Sequence, residues 1–335
     1  MTAPRLADIA ERIPFRIRMT VRFRRVTARE GVLLRGPAGW GEWSPFPQYP
    51  PQVTATWLEA ALEAAVVGLP ARRRRSVPVN CTVPAVGPEQ AHAIVSGSGC
   101  GTAKVKVAEP GQAEGEDLAR VEAVRDALGP GGKVRVDANG AWDVQTADRM
   151  LGALDRFGLE YAEQPVATLE EMAQLRRRTD VRLAADESVR TAEDPLRVAG
   201  LEAADIVVLK AQPLGGVRRA LAVAEAAGLA VVVSSALETS VGLAAGVALA
   251  ASLPELRYAN GLGTRALLDG DVVSAPLAPV EGALPVEPLV VAPSELDRWR
   301  LDGPDADAVL ARLEAAEAVR LARAGQAAGA DGWSR

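Results

Sequence analysis

Eight short apolar segments recur along the middle of the chain, and each is followed by a segment whose Ala, Leu and charged residues have helical spacing. The apolar segments are VPVNCTV, TAKVKVA, KVRVDAN, EYAEQP, RLAADE, DIVVLK, AVVVSSAL and RYANGL, which begin at residues 77, 102, 133, 160, 182, 205, 230 and 257. Strand then helix, repeated eight times, is typical of a (β/α) barrel of about 250 residues. A doubly wound open sheet shares this alternation, but no GxGxxG follows the first strand, so the barrel is favoured.

The chain before and after these repeats has a different pattern. The first 50 residues contain short alternating runs such as FRIRMTVRF and GVLLRG, broken by Gly and Pro, which predict a small antiparallel sheet, and the residues at 53–69 have helical spacing. We therefore predict an α+β capping domain over 1–76, completed by about 271–300, and a barrel domain over 77–270. Residues 301–335 are predicted to form a C-terminal helix and, from about residue 320, a loose tail.

Composition excludes several classes of partner. A net charge of −5 gives no reason to expect nucleic acid. The most apolar helical stretch, at 241–253, is shorter than the roughly 20 residues that cross a bilayer, so it is expected to be a buried helix. The N-terminus lacks the order of a signal peptide, and Cys81 and Cys100 form no CxxC motif. These features predict a cytoplasmic protein with free, mostly buried thiols that acts on a small molecule; they do not predict its oligomeric state.

Polar residues close the predicted strands, which is where barrels of this kind place their active sites. They are Lys104, Lys106, Asp137, Asn139, Glu163, Asp186, Glu187, Lys210, Ser234 and Ser235. The carboxylates Asp137, Glu163 and Asp186 fall on three successive strands, about 4.8 Å apart, and would repel one another. A hard divalent cation relieves that repulsion, and all-oxygen ligands suit Mg²⁺, with Mn²⁺ as a substitute, better than zinc. The alternative is that each acid pairs with an arginine.

Lysine is rare in this chain, which uses it four times among 38 basic residues, at 104, 106, 133 and 210. Lysine can lose its proton and arginine cannot, so lysines at strand ends suggest acid–base chemistry. Lys106 and Lys210 fall four strands apart in an eight-stranded barrel, so a substrate would lie between two amines. We expect Lys104 to lower the pKa of Lys106 from its usual value near 10.4, to pair with one of the acids, or both.

The remaining candidates carry weaker signals. His92, the single histidine, lies between two strands, so a histidine-based triad is not expected. Arg135 shares the inward face of Asp137 and is expected to orient an acid, and both Arg135 and Asn139 are expected to contact the substrate. Ser234 and Ser235 are expected either to donate hydrogen bonds to a substrate carboxylate or to cap their strand.

The motifs KVK at 104–106, DAN at 137–139, EQP at 163–165, ADES at 185–188 and LK at 209–210 resemble those of the enolase superfamily, within it the muconate-lactonizing subgroup. The segment GWGEWSPFP at 39–47 is similar to the entry of its capping domain. The resemblance covers nearly the whole chain. It implies an enolase-type barrel in which Lys106 removes the α-proton of a metal-bound carboxylate, giving an enediolate that Mg²⁺ stabilises and Lys210 holds from the other face.

The overall reaction differs among members of this superfamily. The short chain, the compact cap and SSALETSVGL at 234–243 resemble most the dehydratases that remove water from 2-succinyl-6-hydroxy-2,4-cyclohexadiene-1-carboxylate in menaquinone synthesis. Dipeptide epimerases place an Asp-x-Asp where this chain has RYANGLGT, which counts against them. An N-acylamino acid racemase is the nearest alternative, because two lysines serve both faces. From another class, a Schiff-base aldolase would use Lys210 as nucleophile.

Overall fold

The computed structural model of the protein describes residues 4–23, 26–189 and 194–331. Its N-terminal part is an antiparallel sheet of three strands, β1 (Glu11–Phe23), β2 (Val26–Gly36) and β3 (Gly39–Trp43). Helix α1 (Pro51–Leu62) packs on this sheet and continues into a π-helical turn at Glu63–Val67. The approach is close because Gly41 has no side chain; a Cβ there would lie 2.1 Å from the carbonyl oxygen of Ala61. The predicted antiparallel sheet and helix are both present.

Eight parallel strands form the barrel, and each of the eight predicted segments overlaps one of them. The strands are β4 (Ser76–Val83), β5 (Thr102–Lys106), β6 (Lys133–Asp137), β7 (Leu159–Glu163), β8 (Leu183–Ala185), β9 (Ile206–Leu209), β10 (Ala230–Val233) and β11 (Asn260–Gly263). The helices between them are α2 (Pro88–Ser98), α3 (Glu114–Leu128), α4 (Val144–Leu154), α5 (Leu169–Arg176), α6 (Asp194–Gly200), α7 (Val217–Ala227) and α8 (Ser240–Ser252). The predicted fold class, a (β/α) barrel with an N-terminal α+β domain, is confirmed.

The barrel closes between its last two strands. The hydrogen-bonded order runs β10-β9-β8-β7-β6-β5-β4-β11, and a parallel bridge from Ser234 to Gly261 joins the two ends. An apolar layer of buried side chains lies inside the barrel, formed by Tyr161, Ala184, Ile206, Val208 and Val232. This packed layer fills the interior below the strand ends, as in other barrels of this size, so a substrate has room only at the top.

The chain beyond the barrel packs partly on the barrel and partly on the cap. Strand β12 (Ala283–Pro285) pairs with β4, whereas helix α9 (Pro293–Trp299) contributes Leu296 to a core shared with Phe15 of the cap. Helix α10 (Gly303–Asp331) packs through Leu313 against Trp43. It continues well past residue 320, where the sequence predicted a loose tail, because an Ala-rich segment also has high helix propensity. Residues 332–335 of that predicted tail lie outside the described residues.

Two carboxylates fix the cap on the barrel, each at the N-terminus of a barrel helix. Glu42 accepts hydrogen bonds from the Gly242 amide at 2.9 Å and from the Thr239 hydroxyl at 2.5 Å, at the start of α8. Glu63 accepts from the Val217 amide at the start of α7, at 2.5 Å. Unpaired amides and the helix dipole both favour negative charge there. Because helix N-termini follow strand ends, these contacts hold the cap over the top of the barrel.

Two features bear on the class of protein. Helix α8 is buried almost all round, as the sequence predicted, and none of the helices in the described residues is long and apolar enough to cross a membrane. Cys81 and Cys100 are free thiols, and both are buried.

Candidate active site

A cavity of about 220 Å³ lies at the carboxyl ends of the strands, between the barrel and the cap. Its barrel wall consists of Thr82, Lys104, Lys106, Asp137, Asp186, Lys210, Pro213, Ser234, Ser235, Ala236, Leu237, Gly261 and Thr264. Its cap wall consists of Phe23, Phe46, Tyr49, Val53 and Trp57. The cavity is therefore charged on one side and apolar on the other.

The two lysines of β5 point into the cavity because they alternate with outward-facing residues on one strand. Register places Lys106 beside Asp137 and Asp137 beside Glu163. The Lys106 ammonium lies 2.5 Å from Asp137 Oδ2 and 2.8 Å from Asn139 Oδ1. It also lies 5.1 Å from the centre of the Phe23 ring, which covers it from the cap side. Lys106 is thus buried against the Asp137 carboxylate, the Asn139 amide and the Phe23 ring.

Lys104 forms the predicted ion pair with the acids of the neighbouring strands. Its ammonium lies 2.7 Å from Glu163 Oε1 and 3.2 Å from Asp137 Oδ2. Burial by itself would lower the pKa of Lys104, but the charges of Glu163 and Asp137 outweigh it and raise that pKa. Lys104 is therefore a fixed cation between two carboxylates, and its effect on the basicity of Lys106 stays a prediction.

Lys210 stands across the cavity from Lys106. It follows β9, four strands away from β5 in the barrel order, and its ammonium lies 2.5 Å from both carboxylate oxygens of Asp186. Both amines line the cavity and are largely buried. The structure thus brings together two lysines that can contact opposite faces of one bound molecule.

The three predicted metal ligands lie close together, and each of them contacts a lysine. Within the described residues, no three His, Cys, Asp or Glu side chains are arranged to hold a metal ion. Instead Asp137, Glu163 and Asp186 each contact a lysine ammonium. Burial and the charge of Asp137 raise the pKa of Glu163 to about 8, against the opposing effect of Lys104. The ionised form of Glu163 is therefore disfavoured where it stands, even with Lys104 beside it.

Two observations fit a cation at this cluster. All the available donors are carboxylate oxygens, which suit a hard divalent ion. In addition, Glu163 Oε2 is buried and has no hydrogen-bond partner in the described part of the chain, which is costly for a carboxylate oxygen unless something else binds it. The residues therefore fit a divalent ion if each carboxylate turns one oxygen toward it, and the ligand set stays a prediction.

Arg135 does not reach the cavity, contrary to the prediction that it contacts the substrate. Its guanidinium bonds Glu160 Oε2 at 2.6 Å and the Ala259 carbonyl oxygen at 2.7 Å, and it stacks 4.6 Å from the Tyr161 ring centre. The acid it orients is thus Glu160. Arg135 shares the face of Asp137 but lies one inward-facing position lower, about 6.6 Å along the strand.

The other predicted residues lie at the cavity or next to it. Ser234 and Ser235 are on the barrel wall, where Ser235 Oγ contacts Thr264 Oγ1 at 2.6 Å. Asn139 is held between Lys106 and Glu187, with its Nδ2 3.2 Å from Glu187 Oε1. Asn139 therefore fixes the lysine that it bonds, and a direct substrate contact by Asn139 stays a prediction.

Sequence reasoning missed the cap wall. Phe46, Tyr49 and Trp57 form a cluster of edge-on rings with centres 5.7 to 6.1 Å apart. Aromatic residues make up only 4% of the chain, so their concentration between 43 and 57 is a usable signal. Their role was not predicted because the segment around Phe46 and Tyr49 is a loop without a period.

Comparisons with known proteins assign this architecture to a family. The chain matches the family models described as "Enolase N-terminal domain-like" at residues 15–65 and "Enolase C-terminal domain-like" at residues 88–290. Among solved structures it is similar to a muconate lactonizing enzyme from Pseudomonas fluorescens, complexed with muconolactone, with a TM-score of 0.76 and 23% identity over 90% of this chain and 100% of the other. At that identity the likeness shows the fold alone. Members of the enolase superfamily generally use a divalent metal ion.

Two curated relatives are much more similar in sequence. A protein of Thermobifida fusca (strain YX) named o-succinylbenzoate synthase is 63% identical, over 91% of this chain and 95% of that protein. One of the same name from Mycolicibacterium smegmatis is 53% identical, over 88% of this chain and 91% of that protein. The chain therefore belongs to the o-succinylbenzoate synthase family of enolase-like proteins, and it is an enzyme of the hydro-lyase kind.

Proposed function

We propose that the protein removes water from 2-succinyl-6-hydroxy-2,4-cyclohexadiene-1-carboxylate to give o-succinylbenzoate, a step of menaquinone biosynthesis. The observation that supports this most is the pair of buried lysines on opposite sides of one cavity, next to a cluster of carboxylates. The name carried by relatives as similar as 63% identical supports the same substrate.

Lys106 is the base in this proposal. Its neutral amine takes the proton from the carbon that bears the substrate carboxylate, and the ring electrons move to expel the hydroxyl group from the adjacent carbon. The same ammonium then gives its proton to the departing hydroxyl, so one water leaves and the ring becomes aromatic. Asn139 and Asp137 hold the Nζ atom in place, since both accept hydrogen bonds from it. Positioned general-base catalysis of this kind contributes about 10² to 10⁴ in rate.

Lys210 supplies charge and takes no proton. The Asp186 carboxylate keeps its ammonium in the cavity, where it faces the negative charge that develops on the substrate. Asp137, Glu163 and Asp186 are the residues that would hold Mg²⁺, or Mn²⁺ in its place. When bound, the ion supplies further positive charge for the substrate carboxylate. Holding it would require each carboxylate to direct one oxygen to the ion while the other oxygen keeps the lysine contact.

The cap wall fits the rest of the substrate. A cyclohexadiene ring is flat and apolar, and edge-on contacts with Phe46, Tyr49 and Trp57 suit it. These side chains also exclude water from the lysines, which strengthens each charge interaction in the cavity.

Racemisation of an N-acylamino acid is a second candidate, because a lysine lies on each side of the cavity. It requires Lys210 to be neutral in one direction of the reaction and protonated in the other. Lys210 contacts both oxygens of Asp186, whereas Lys106 contacts one oxygen of Asp137 and the Asn139 amide oxygen, so the two lysines have different surroundings, which fits a reaction with a single base better than one with two equivalent bases.

The test compares both reactions on one preparation. After exhaustive chelation the enzyme should be inactive toward the cyclohexadiene acid, and Mg²⁺ or Mn²⁺ should restore turnover. Exchange of the α-hydrogen of N-succinylamino acids in deuterated water should be far slower than dehydration. A specificity constant higher for an N-succinylamino acid than for the cyclohexadiene acid would contradict the proposed function. Full turnover after chelation would contradict the proposed requirement for a metal ion.

A further inference from the structure

Leu237 is held in an unusual backbone conformation at the cavity. Its φ of 66° lies in the left-handed region, where a side chain with a Cβ is strained and a leucine has no polar group to compensate. It is buried and belongs to the barrel wall, in the loop from β10 to α8. Strain of this kind persists only where surrounding contacts impose it, and it often marks a functional segment.

Arg29 of the cap makes the contact that reaches this backbone. It lies on β2, is 1% exposed, and its Nε donates a hydrogen bond of 3.1 Å to the Leu237 carbonyl oxygen. Its Nη2 donates to the Ser44 carbonyl oxygen of the cap. The same guanidinium lies 4.2 Å from the centre of the Phe46 ring. Arg29 therefore touches the supports of both cavity walls but does not line the cavity itself.

The contact joins a wider set of bonds in the same loop. Leu237 donates its amide proton to Ser235 Oγ at 3.2 Å, and Ser235 contacts Thr264, so the position of Leu237 sets the direction of a serine on the barrel wall. Arg29 Nη1 is buried without a hydrogen-bond partner in the described residues. Keeping a buried, incompletely bonded guanidinium is costly for stability alone, so its bonds to Leu237 and Ser44 suggest a role in shaping the cavity.

We propose that Arg29 is a positioning residue that holds Leu237 in its left-handed conformation and Phe46 in its ring position, and so sets the distance between the two cavity walls. The kinetic part of this inference rests on the proposed function. Losing the bond lets the Leu237 backbone relax, which turns Ser235 and widens the cavity. Substrate binding then weakens more than the chemical step, because Lys106 and Lys210 stand on other strands.

The experiment places Arg29→Met in three backgrounds: wild type, Leu237→Gly and Leu237→Ala. Both Leu237 changes remove the same wall contact, but glycine adopts a positive φ without strain and alanine does not. We expect Arg29→Met to raise KM about 10- to 100-fold in the wild-type and Leu237→Ala backgrounds, as for loss of a charged hydrogen bond, with kcat changed less than about threefold. In the Leu237→Gly background the same change should raise KM less than about threefold. An equal effect of Arg29→Met on the Gly and Ala backgrounds would overturn the proposal.

Hydrogen exchange gives a readout that does not depend on the reaction. Amides at 235–239 should exchange faster in Arg29→Met, and less so when Leu237→Gly is present, while amides of β5 and β9 stay protected. Wild-type enzyme without turnover would contradict the proposed function but leave this measurement to decide the role of Arg29. Arg29→Lys keeps the charge and should show the same selective exchange. Unchanged exchange at 235–239, or failure of both Arg29 variants to fold in every background, would overturn the role assigned to Arg29.

Discussion

The two walls of the cavity differ in chemistry, in origin and in how they are held. The barrel wall places its charged side chains at the ends of parallel strands, where ladder hydrogen bonds fix each backbone position. The cap wall is apolar and comes from a strand end, a loop and a helix. The difference indicates a division of labour in which the barrel carries the reaction and the cap carries the fit to the substrate. Glu42, Glu63 and Arg29 join the two.

The largest effect should come from removing the base on the barrel wall. Lys106→Arg keeps a positive charge but cannot accept a proton at any working pH, so kcat for dehydration should fall by about 10² to 10⁴ with KM little changed. Steady-state kinetics with the cyclohexadiene acid measure both constants. Lys133→Arg is the matched control, because Lys133 is exposed at the other end of β6 and should leave both constants unchanged. If Lys106→Arg kept more than a tenth of the wild-type kcat, the role of Lys106 would be purely electrostatic.

The carboxylate cluster should show the next largest effect. Glu163→Gln removes the negative charge and replaces one carboxylate oxygen by an amide nitrogen at the residue whose buried Oε2 has no hydrogen-bond partner in the described residues, so it should weaken Mg²⁺ binding by about 100-fold, at least as much as the loss of a supporting contact to a ligand. Activity against Mg²⁺ concentration, together with calorimetry, measures this. Glu160→Gln is the control, since Glu160 pairs with Arg135 below the cavity. Equal metal affinity in Glu163→Gln and wild type would exclude Glu163 as a ligand.

The barrel wall was predictable from sequence and the cap wall was not, for a physical reason. Side chains alternate along a strand, so the repeating pattern gives the face of Lys106, Asp137 and Glu163, and the barrel topology gives the end at which they meet. Alternation gives the face but not the depth, which is why Arg135 was assigned to the substrate and instead lies beside Tyr161. The contacts of Tyr49 depend on how the cap packs on the barrel, and no local pattern encodes that.

The contact that Glu42 makes between cap and barrel should make the stability of the protein depend on pH. Burial, offset in part by its hydrogen bonds, raises the pKa of Glu42 from 4.5 to about 7. Between pH 4.5 and about 7 the folded protein binds more protons at Glu42 than the unfolded chain does. Protonation of Glu42 therefore stabilises the fold at low pH, and this stabilisation is lost as pH rises through about 7. Over pH 5 to 8 this lowers the free energy of unfolding by about 2 kcal/mol.

Glu42→Gln removes this titration, so the free energy of unfolding of wild type should fall by about 2 kcal/mol relative to that of the variant as pH rises from 5 to 8. Urea unfolding at each pH measures it. Glu63→Gln serves as the comparison, because Glu63 makes the equivalent contact at α7 without the same burial. The raised pKa of Glu163 contributes to the pH dependence of both proteins, so the difference between them is the measure; an equal pH dependence in wild type and Glu42→Gln would show that Glu42 is not responsible.

The smallest effect should come from the cap wall, and it should appear in KM. Tyr49→Ala removes a half-buried ring that contacts Phe46 and Trp57, and the apolar area lost corresponds to about a tenfold rise in KM for the cyclohexadiene acid. Tyr49→Phe keeps the ring and should behave as wild type, which separates the ring from its hydroxyl. The kcat of both variants should stay within about threefold of wild type, because neither change touches Lys106 or Lys210. If Tyr49→Ala lowered kcat as Lys106→Arg does and left KM unchanged, the cap wall would take part in the chemical step and the division between the two walls would be wrong.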